Sequence, residues 1–191
     1  MVCHGGFSLS EQTRREWYNP EEILRKAGLH EGMVFADIGS GDGFFSILAA
    51  RIVGEKGAVY AVDIDSRGIE KLNVEAKARR LGNIITSVNK AEDTVFCKGC
   101  VDIVFYSMDL HDFSNPSKVL ANAREMVKPN GLVLDLDWKR IDMEFGPPKS
   151  IRFSEEYVQE LMAKQGLEVK ETLNVGPYHY MVIAKPSKKG N

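Results

Sequence analysis

The residues best suited to chemistry come early, where the chain reads Asp37-Ile38-Gly39-Ser40-Gly41-Asp42-Gly43. Glycines at this density let a backbone turn sharply and let a ligand approach where a Cβ would block it. A helix N-terminus follows at once, and its free N–H groups favour an anionic or polar ligand. The dinucleotide spacing G-x-G-x-x-G is not met, because Phe44 stands three after Gly41 and the third glycine comes one early, at Gly43. An acid, Asp37, stands two residues before Gly39. It would repel a pyrophosphate, yet it can receive an ammonium group directly or through water. Farther on, Val62-Asp63-Ile64 closes a second apolar run. There Asp63 is placed to accept hydrogen bonds from two ribose hydroxyls, and Ile64 to pack on an adenine face. Together Asp37, Gly39, Ser40, Gly41, Gly43, Asp63 and Ile64 call for a nucleoside with a cationic amino-acid end, not a diphosphate.

Strand ends and a helix start must hold these residues, and the sequence texture supplies both. Asn19, Pro20, Glu21 and Glu22 open a first helix that Gly28 ends. Met33–Ile38 reads as a strand, Phe44–Val53 as a buried helix closed by Gly54, and Ala58–Ile64 as a second buried strand. Ser66 caps a helix running to Leu81 and ended by Gly82. Ile84–Val88 and Val101–Ser107 are further strands, Pro116 starts a helix through Val127, and Pro129-Asn130-Gly131 turns the chain into Leu132–Asp137. A proline-rich connector, Lys139–Phe153, leads to a helix capped by Ser154 and ended by Gly166, and then to strands Glu168–Val175 and Tyr178–Lys185. Continuous apolar strands separated by helices imply βαβ units and a mostly parallel sheet covered on both faces. The short Gly176-Pro177 link permits only a hairpin, so one of the last two strands runs antiparallel. The expectation is an α/β, doubly wound, Rossmann-like sheet of seven strands, one of them reversed near an edge, in one domain spanning residues 1–191.

Composition narrows the function classes. A net charge of −2 argues against a dedicated nucleic-acid binder, which carries a clustered basic excess. The longest apolar run, around Ile47–Val53, is too short for a membrane span, and Met1–Ser10 has no signal-peptide pattern. The 3 cysteines are too few and odd in number for a secreted disulfide scaffold. A cytoplasmic enzyme domain is expected.

The same motifs resemble those of the class I S-adenosylmethionine-dependent methyltransferases over nearly the whole chain. The resemblance rests on Asp37–Gly43, on Val62-Asp63-Ile64, on Val101-Asp102-Ile103-Val104-Phe105 as the fourth strand, and on Lys128-Pro129-Asn130-Gly131-Leu132 entering the fifth. It implies S-adenosylmethionine as cofactor. In that family an acid after the third strand meets the adenine amino group; here Asn89-Lys90-Ala91-Glu92 puts Lys90 in its place, leaving the Ala91 backbone or Glu92 to serve.

Methyl transfer from a sulfonium is an in-line displacement in which alignment supplies much of the acceleration. The segment Ser107–Phe113 should border the methyl. In it His111 is either a base or acceptor-positioner or a cap of the following turn, and Asp109 and Asp112 lack the third ligand that a metal would need. No metal is expected. Two segments are candidate lids: Phe7–Asn19, with Arg14, Arg15, Trp17 and Tyr18, and the connector with Phe145, Pro147, Pro148 and Arg152. Arg15, Tyr18, Asp109 and Arg152 are the substrate or lid candidates. Cys97-Lys98-Gly99-Cys100 is half a zinc site and precedes the fourth strand, at the sheet edge opposite the cofactor; neither zinc nor a disulfide is expected of it. With no second domain to read a large substrate, and no Asn/Asp-Pro-Pro-Tyr/Phe signature of base methylation, the expected acceptor is a small molecule. The alternatives are a non-catalytic cofactor-binding module, or an enzyme acting on protein or tRNA with a partner.

Overall fold

The computed structural model describes residues 11–187. Met1–Ser10, with Phe7 at the start of the first candidate lid, and the residues beyond Ser187 lie outside them. The apolar runs become β1 (Val34–Ile38), β2 (Ala58–Asp63), β3 (Ile84–Val88), β4 (Val101–Ser107), β5 (Val127–Trp138), β6 (Leu167–Val175) and β7 (His179–Pro186). They join in one sheet of order β3-β2-β1-β4-β5-β7-β6. All pairings are parallel except those of β7, which runs against both β5 and β6. The sheet is the expected one, with the reversed strand next to the edge.

Helices α1 (Glu11–Trp17), α2 (Pro20–Lys26), α3 (Phe44–Val53), α4 (Ser66–Ala78), α5 (Pro116–Met126) and α6 (Glu155–Lys164) cover it. One face of the sheet buries Phe35, Phe105, Leu134 and Trp138 against Leu24, Phe45 and Ala49. The other buries Ile38, Val104, Tyr106 and Val182 against Leu120, Met126, Val158 and Met162. Successive strand residues alternate between these two cores, as the pleat requires. Chain direction from β1 passes one way to β2 and β3 and the other way to β4 and β5. The sheet's switch point therefore lies between β1 and β4, and ligands of open α/β sheets bind beyond the strand ends there.

Several local expectations are corrected. Asp65, not Ser66, caps α4, its carboxylate accepting from the Arg67 N–H at 3.0 Å. That helix stops at Ala78 because Arg80 takes a left-handed φ of 57°, two residues before Gly82. The Pro129-Asn130-Gly131 turn is a bulge inside β5: the register with β4 jumps from Val101↔Val127 to Ile103↔Leu132. Cys97 and Cys100 form a disulfide, against expectation, although at the predicted place on the amino ends of the strands. In the hairpin before β7, Gly176 has φ 61°, and a Cβ there would strike the Trp17 carbonyl. Only glycine lets the end of α1 press so close to this turn. Among the described residues, no helix is long and apolar enough to cross a membrane.

Candidate active site

The loop after β1 is tied to β2 by its own backbone. Gly39 and Ser40 donate to the Val62 carbonyl at 2.8 and 3.0 Å. The Gly41 N–H donates to Asp63 Oδ2 at 2.7 Å, and Asp63 Oδ1 accepts from the Asp65 N–H at 2.8 Å. Asp63 thus shapes the loop while each carboxylate oxygen keeps a further lone pair for a hydroxyl. Gly39 has φ 80°, and a Cβ on it would fall on the Asp109 carboxylate. Below the loop Asp37 is fully buried and accepts from Ser46 Oγ of α3 at 2.5 Å. Burial raises its carboxyl to about 7; the Ser46 hydrogen bond opposes the rise and the Asp63 charge adds to it.

Beside this loop runs a groove of about 300 Å³ between the carboxyl ends of β2 and β3 and the segment after β4. Asp63, Ile64, Ala91 and Glu92 line it, as do Lys90 and Asp109. Ile64 lies past the end of β2 and is 67% exposed, an apolar face held open on the groove wall. The Ala91-Glu92 backbone is fixed from behind by Asn122 Nδ2, which donates to both carbonyls at 3.1 and 2.8 Å. One Glu92 oxygen already accepts from the Asn115 N–H. From the segment after β4, Phe113 lines the same groove with Asp112 and Ser114.

After β4 the chain makes a turn that the sequence did not announce. Met108 takes a left-handed φ of 64°, a strain of order 1–3 kcal/mol in a non-glycine residue, while its N–H holds the Leu136 carbonyl at 2.7 Å. The turn carries Asp109 back under Gly39. Asp109 is therefore buried beneath the loop, and both its carboxylate oxygens lack hydrogen-bond partners among the described residues. Burial pushes its carboxyl well up, with the charges of Asp37, Asp137, Asp135 and Asp63 adding. Asp135, also buried and unpartnered, is pushed up by burial and by Asp137. This concentration of buried acid favours a cationic ligand.

His111 lies behind this centre. Its Nδ1 is 2.8 Å from Asp137 Oδ2, both side chains fully buried, and its Nε2 is 3.6 Å from Asp112 Oδ1. Burial favours the neutral ring, yet the charge and hydrogen bond of Asp137, with Asp112 adding, hold its pKa above the ordinary value. His111 borders neither the groove nor the loop cavity described next. The Asp137 bond ties the segment after β4 to the end of β5, and no contact of His111 caps the turn that follows it among the described residues. Among the described residues, no three His, Cys, Asp or Glu side chains gather as a metal site.

The two candidate lids meet over the carboxyl ends of the strands. Trp17 of α1 stacks on Phe145 of the connector at 4.9 Å and meets Trp138 edge-on at 5.8 Å. Tyr18 is buried, stacked on Phe45 and set against His179, whose pKa burial, aided by Lys139 and Arg152, depresses to about 3. Arg14, rather than Arg15, reaches the glycine loop: with Asp37, Ser40, Gly41, Phe45 and Ser107 it lines a cavity of about 10 Å³. Arg15 is exposed and paired with Glu21 at 3.0 Å. Arg152 is buried, and its guanidinium donates to the carbonyls of Pro147, Ile141, Phe145 and Lys139, so it braces the connector.

A family model described as a methyltransferase domain matches residues 29–175. The chain belongs to that family. Its cofactor is S-adenosylmethionine. An S-adenosylmethionine-dependent methyltransferase from Aquifex aeolicus shares 30% identity and superposes with a TM-score of 0.86, covering 91% of this chain and 93% of that one. A ubiquinone/menaquinone biosynthesis C-methyltransferase of Haemophilus ducreyi is 31% identical over 118 residues, 60% of this chain but only 44% of the relative's length. A fibrillarin-like rRNA/tRNA 2'-O-methyltransferase of Pyrobaculum islandicum is 28% identical, covering 92% of this chain and 78% of the relative.

The residues present fit the methyltransferase cofactor. Ser40 Oγ and the Asp109 oxygens, buried without partners among the described residues, a glycine turn that leaves no room for a Cβ between Gly39 and Asp109, and the buried acids beside it suit a nucleoside with a cationic end. Asp63→Ala should weaken cofactor binding by about 1.5–3 kcal/mol, because a ribose acceptor and the Gly41 anchor go together. Titration calorimetry reads this directly; unchanged affinity would move the ribose elsewhere.

Proposed function

We propose that this methyltransferase transfers the methyl of S-adenosylmethionine to a small molecule. The observation that carries the acceptor class is the closure of α1 and the connector over the strand ends through the Trp17–Phe145 stack. Such a cover encloses a small acceptor and shuts out water, whereas a polymer lying across the sheet edge would need the same space. The cofactor supplies a methyl on a sulfonium, a leaving group that needs no acid. Asp63 holds the ribose, Ile64 and Phe113 flank the adenine with Ala91 and Glu92 at its edge, and Asp37 takes the ammonium. Ser107, Gly39 and Ser40 shape the wall nearest the sulfur. The protein's own work is then alignment and exclusion of water, through residues held rigid before the ligand arrives.

One observation favours a second reading, an RNA acceptor. Arg15, Arg51, Lys71 and Arg79 rim a cavity of about 270 Å³ next to the loop. Two of these charges are met locally, Arg15 by Glu21 and Arg79 by Glu75, which weakens the case.

Methyl-labelled cofactor incubated with separate metabolite and RNA fractions tests the choice. Label is expected in low-mass product. Label confined to RNA would overturn the small-molecule reading, and cofactor binding without any transfer would favour a non-catalytic module.

A further inference from the structure

Cys97 and Cys100 stand at the amino ends of the strands, where the chain enters β4, and methyl transfer makes no use of them. Their disulfide spans a sequence separation of only 3. So short a ring constrains the unfolded chain least, which makes the bond a poor staple. Nor is the pair a metal centre, since among the described residues no three His, Cys, Asp or Glu side chains gather. The spacing is that of dithiols that open and close. Both cysteines are only half-buried, with Lys98 and Gly99 exposed between them.

The closed ring presents its backbone to the end of α5. The Gly99 and Cys100 N–H groups donate to the Glu125 and Met126 carbonyls at 2.9 and 3.0 Å, and Lys98 Nζ is 3.1 Å from Glu125. A helix leaves its last carbonyls without partners of its own, and cations favour that end, so the ring caps α5. On the same helix, one turn back, Asn122 holds the Ala91 and Glu92 carbonyls of the groove wall. The chain makes a second link. Thr94 Oγ1 donates to the Lys90 carbonyl at 2.7 Å, and Phe96, beside Cys97, stacks on Tyr60 of β2 at 4.8 Å.

With the adenine placed as above, we propose that Cys97 and Cys100 form a thiol–disulfide exchange site for a dithiol reductant, and that opening the bond loosens the hold on the cofactor. A thiolate of the reductant attacks one cysteine sulfur, the S–S bond breaks and the other cysteine leaves as a thiolate. The reductant's second thiol then displaces the first cysteine from the mixed disulfide and closes the reductant's own disulfide. Two electrons and two protons pass to the cysteine pair. The opened loop no longer fixes the cap on α5, and the Ala91-Glu92 wall loses part of its support.

Dithiothreitol, mixed in defined ratios with its oxidised form, is the probe. Alkylation of Cys97 and Cys100, read by peptide mass, follows the exchange separately from Cys3, while calorimetry follows S-adenosylhomocysteine. The reduced protein should bind this ligand on the order of fivefold to tenfold more weakly, near the lower end of couplings between linked sites. Reciprocity then requires saturating ligand to raise by the same factor the dithiol-to-disulfide ratio that opens half of the bonds. Cys97→Ser combined with Cys100→Ser should bind as the reduced protein does and ignore the reductant. A bond that stays closed in the folded protein under excess dithiol, or an opened protein of unchanged affinity, overturns the proposal. Exchange in a protein that binds the ligand in neither form overturns instead the cofactor placement on which the coupling rests.

Discussion

Between pH 7 and pH 5 the affinity for S-adenosylhomocysteine should fall about fiftyfold, and one proton on Asp37 should account for it. In the unliganded protein burial raises this carboxyl to about 7. An ammonium placed beside it favours the ionised form and lowers that value, so the ligand binds the carboxylate. The first pH unit below 7 then costs about a factor of five and the next about a factor of ten, because a proton must leave before the ligand can settle. Stability of the unliganded protein runs the other way. A carboxyl raised in the folded state contributes stability that is complete below its unfolded value, about 3.9, and lost as pH rises through 7. The thermal shift produced by the ligand should therefore grow from pH 5 to pH 8. Calorimetry in two buffers of different ionisation heat counts the released proton. Asp37→Asn should bind weakly at every pH and show no slope. A flat profile in the parent protein would place the ammonium away from Asp37.

The places of Asp37 and Asp63 were readable from sequence because they are set locally. A strand end, a glycine turn and a helix start lie within Asp37–Phe44, and strand periodicity alone puts the acids at adjacent carboxyl ends. The fold followed for the same reason: apolar runs of strand length have few other places to go in a chain of this size. What stayed hidden depends on contacts distant in sequence or on helix phase. Asp109 reaches the underside of Gly39 through a left-handed Met108, a conformation that no methionine signals. Arg15 was taken as a lid residue along with Tyr18, and only the phase of α1 turns Arg14 inward. Arg14, Trp17 and Tyr18 are spaced i, i+3, i+4 and so share a face, which was the available clue. The contacts of Arg152 were hidden for a different reason. A connector without regular structure leaves its own carbonyls unpaired, and an arginine buried beneath it is consumed in satisfying them.

His111→Ala should lower the unfolding free energy by about 3–5 kcal/mol, because it leaves Asp137 buried without its partner and beside Asp135. The effect should depend on pH with a definite sign. Asp137 holds the imidazole pKa above its ordinary 6.5, so the pair's contribution is complete below that value and is lost as pH rises through the folded pKa. Urea unfolding of parent and variant at pH 5.5 and pH 9 should show the gap narrowing at the alkaline end. Adding Asp137→Asn to His111→Ala removes the stranded charge and should recover part of the loss, which a double-mutant cycle reads as coupling. A base would behave otherwise. Its removal would cost on the order of 10²–10⁴ in turnover at saturating cofactor, beyond any loss of cofactor affinity. Since 26 residues separate His111 from Asp137, and the bond joins the segment after β4 to the end of β5, the positional role has a structural purpose. It fixes the turn that delivers Asp109 beneath Gly39, and the variant should therefore bind cofactor more weakly even where it remains folded.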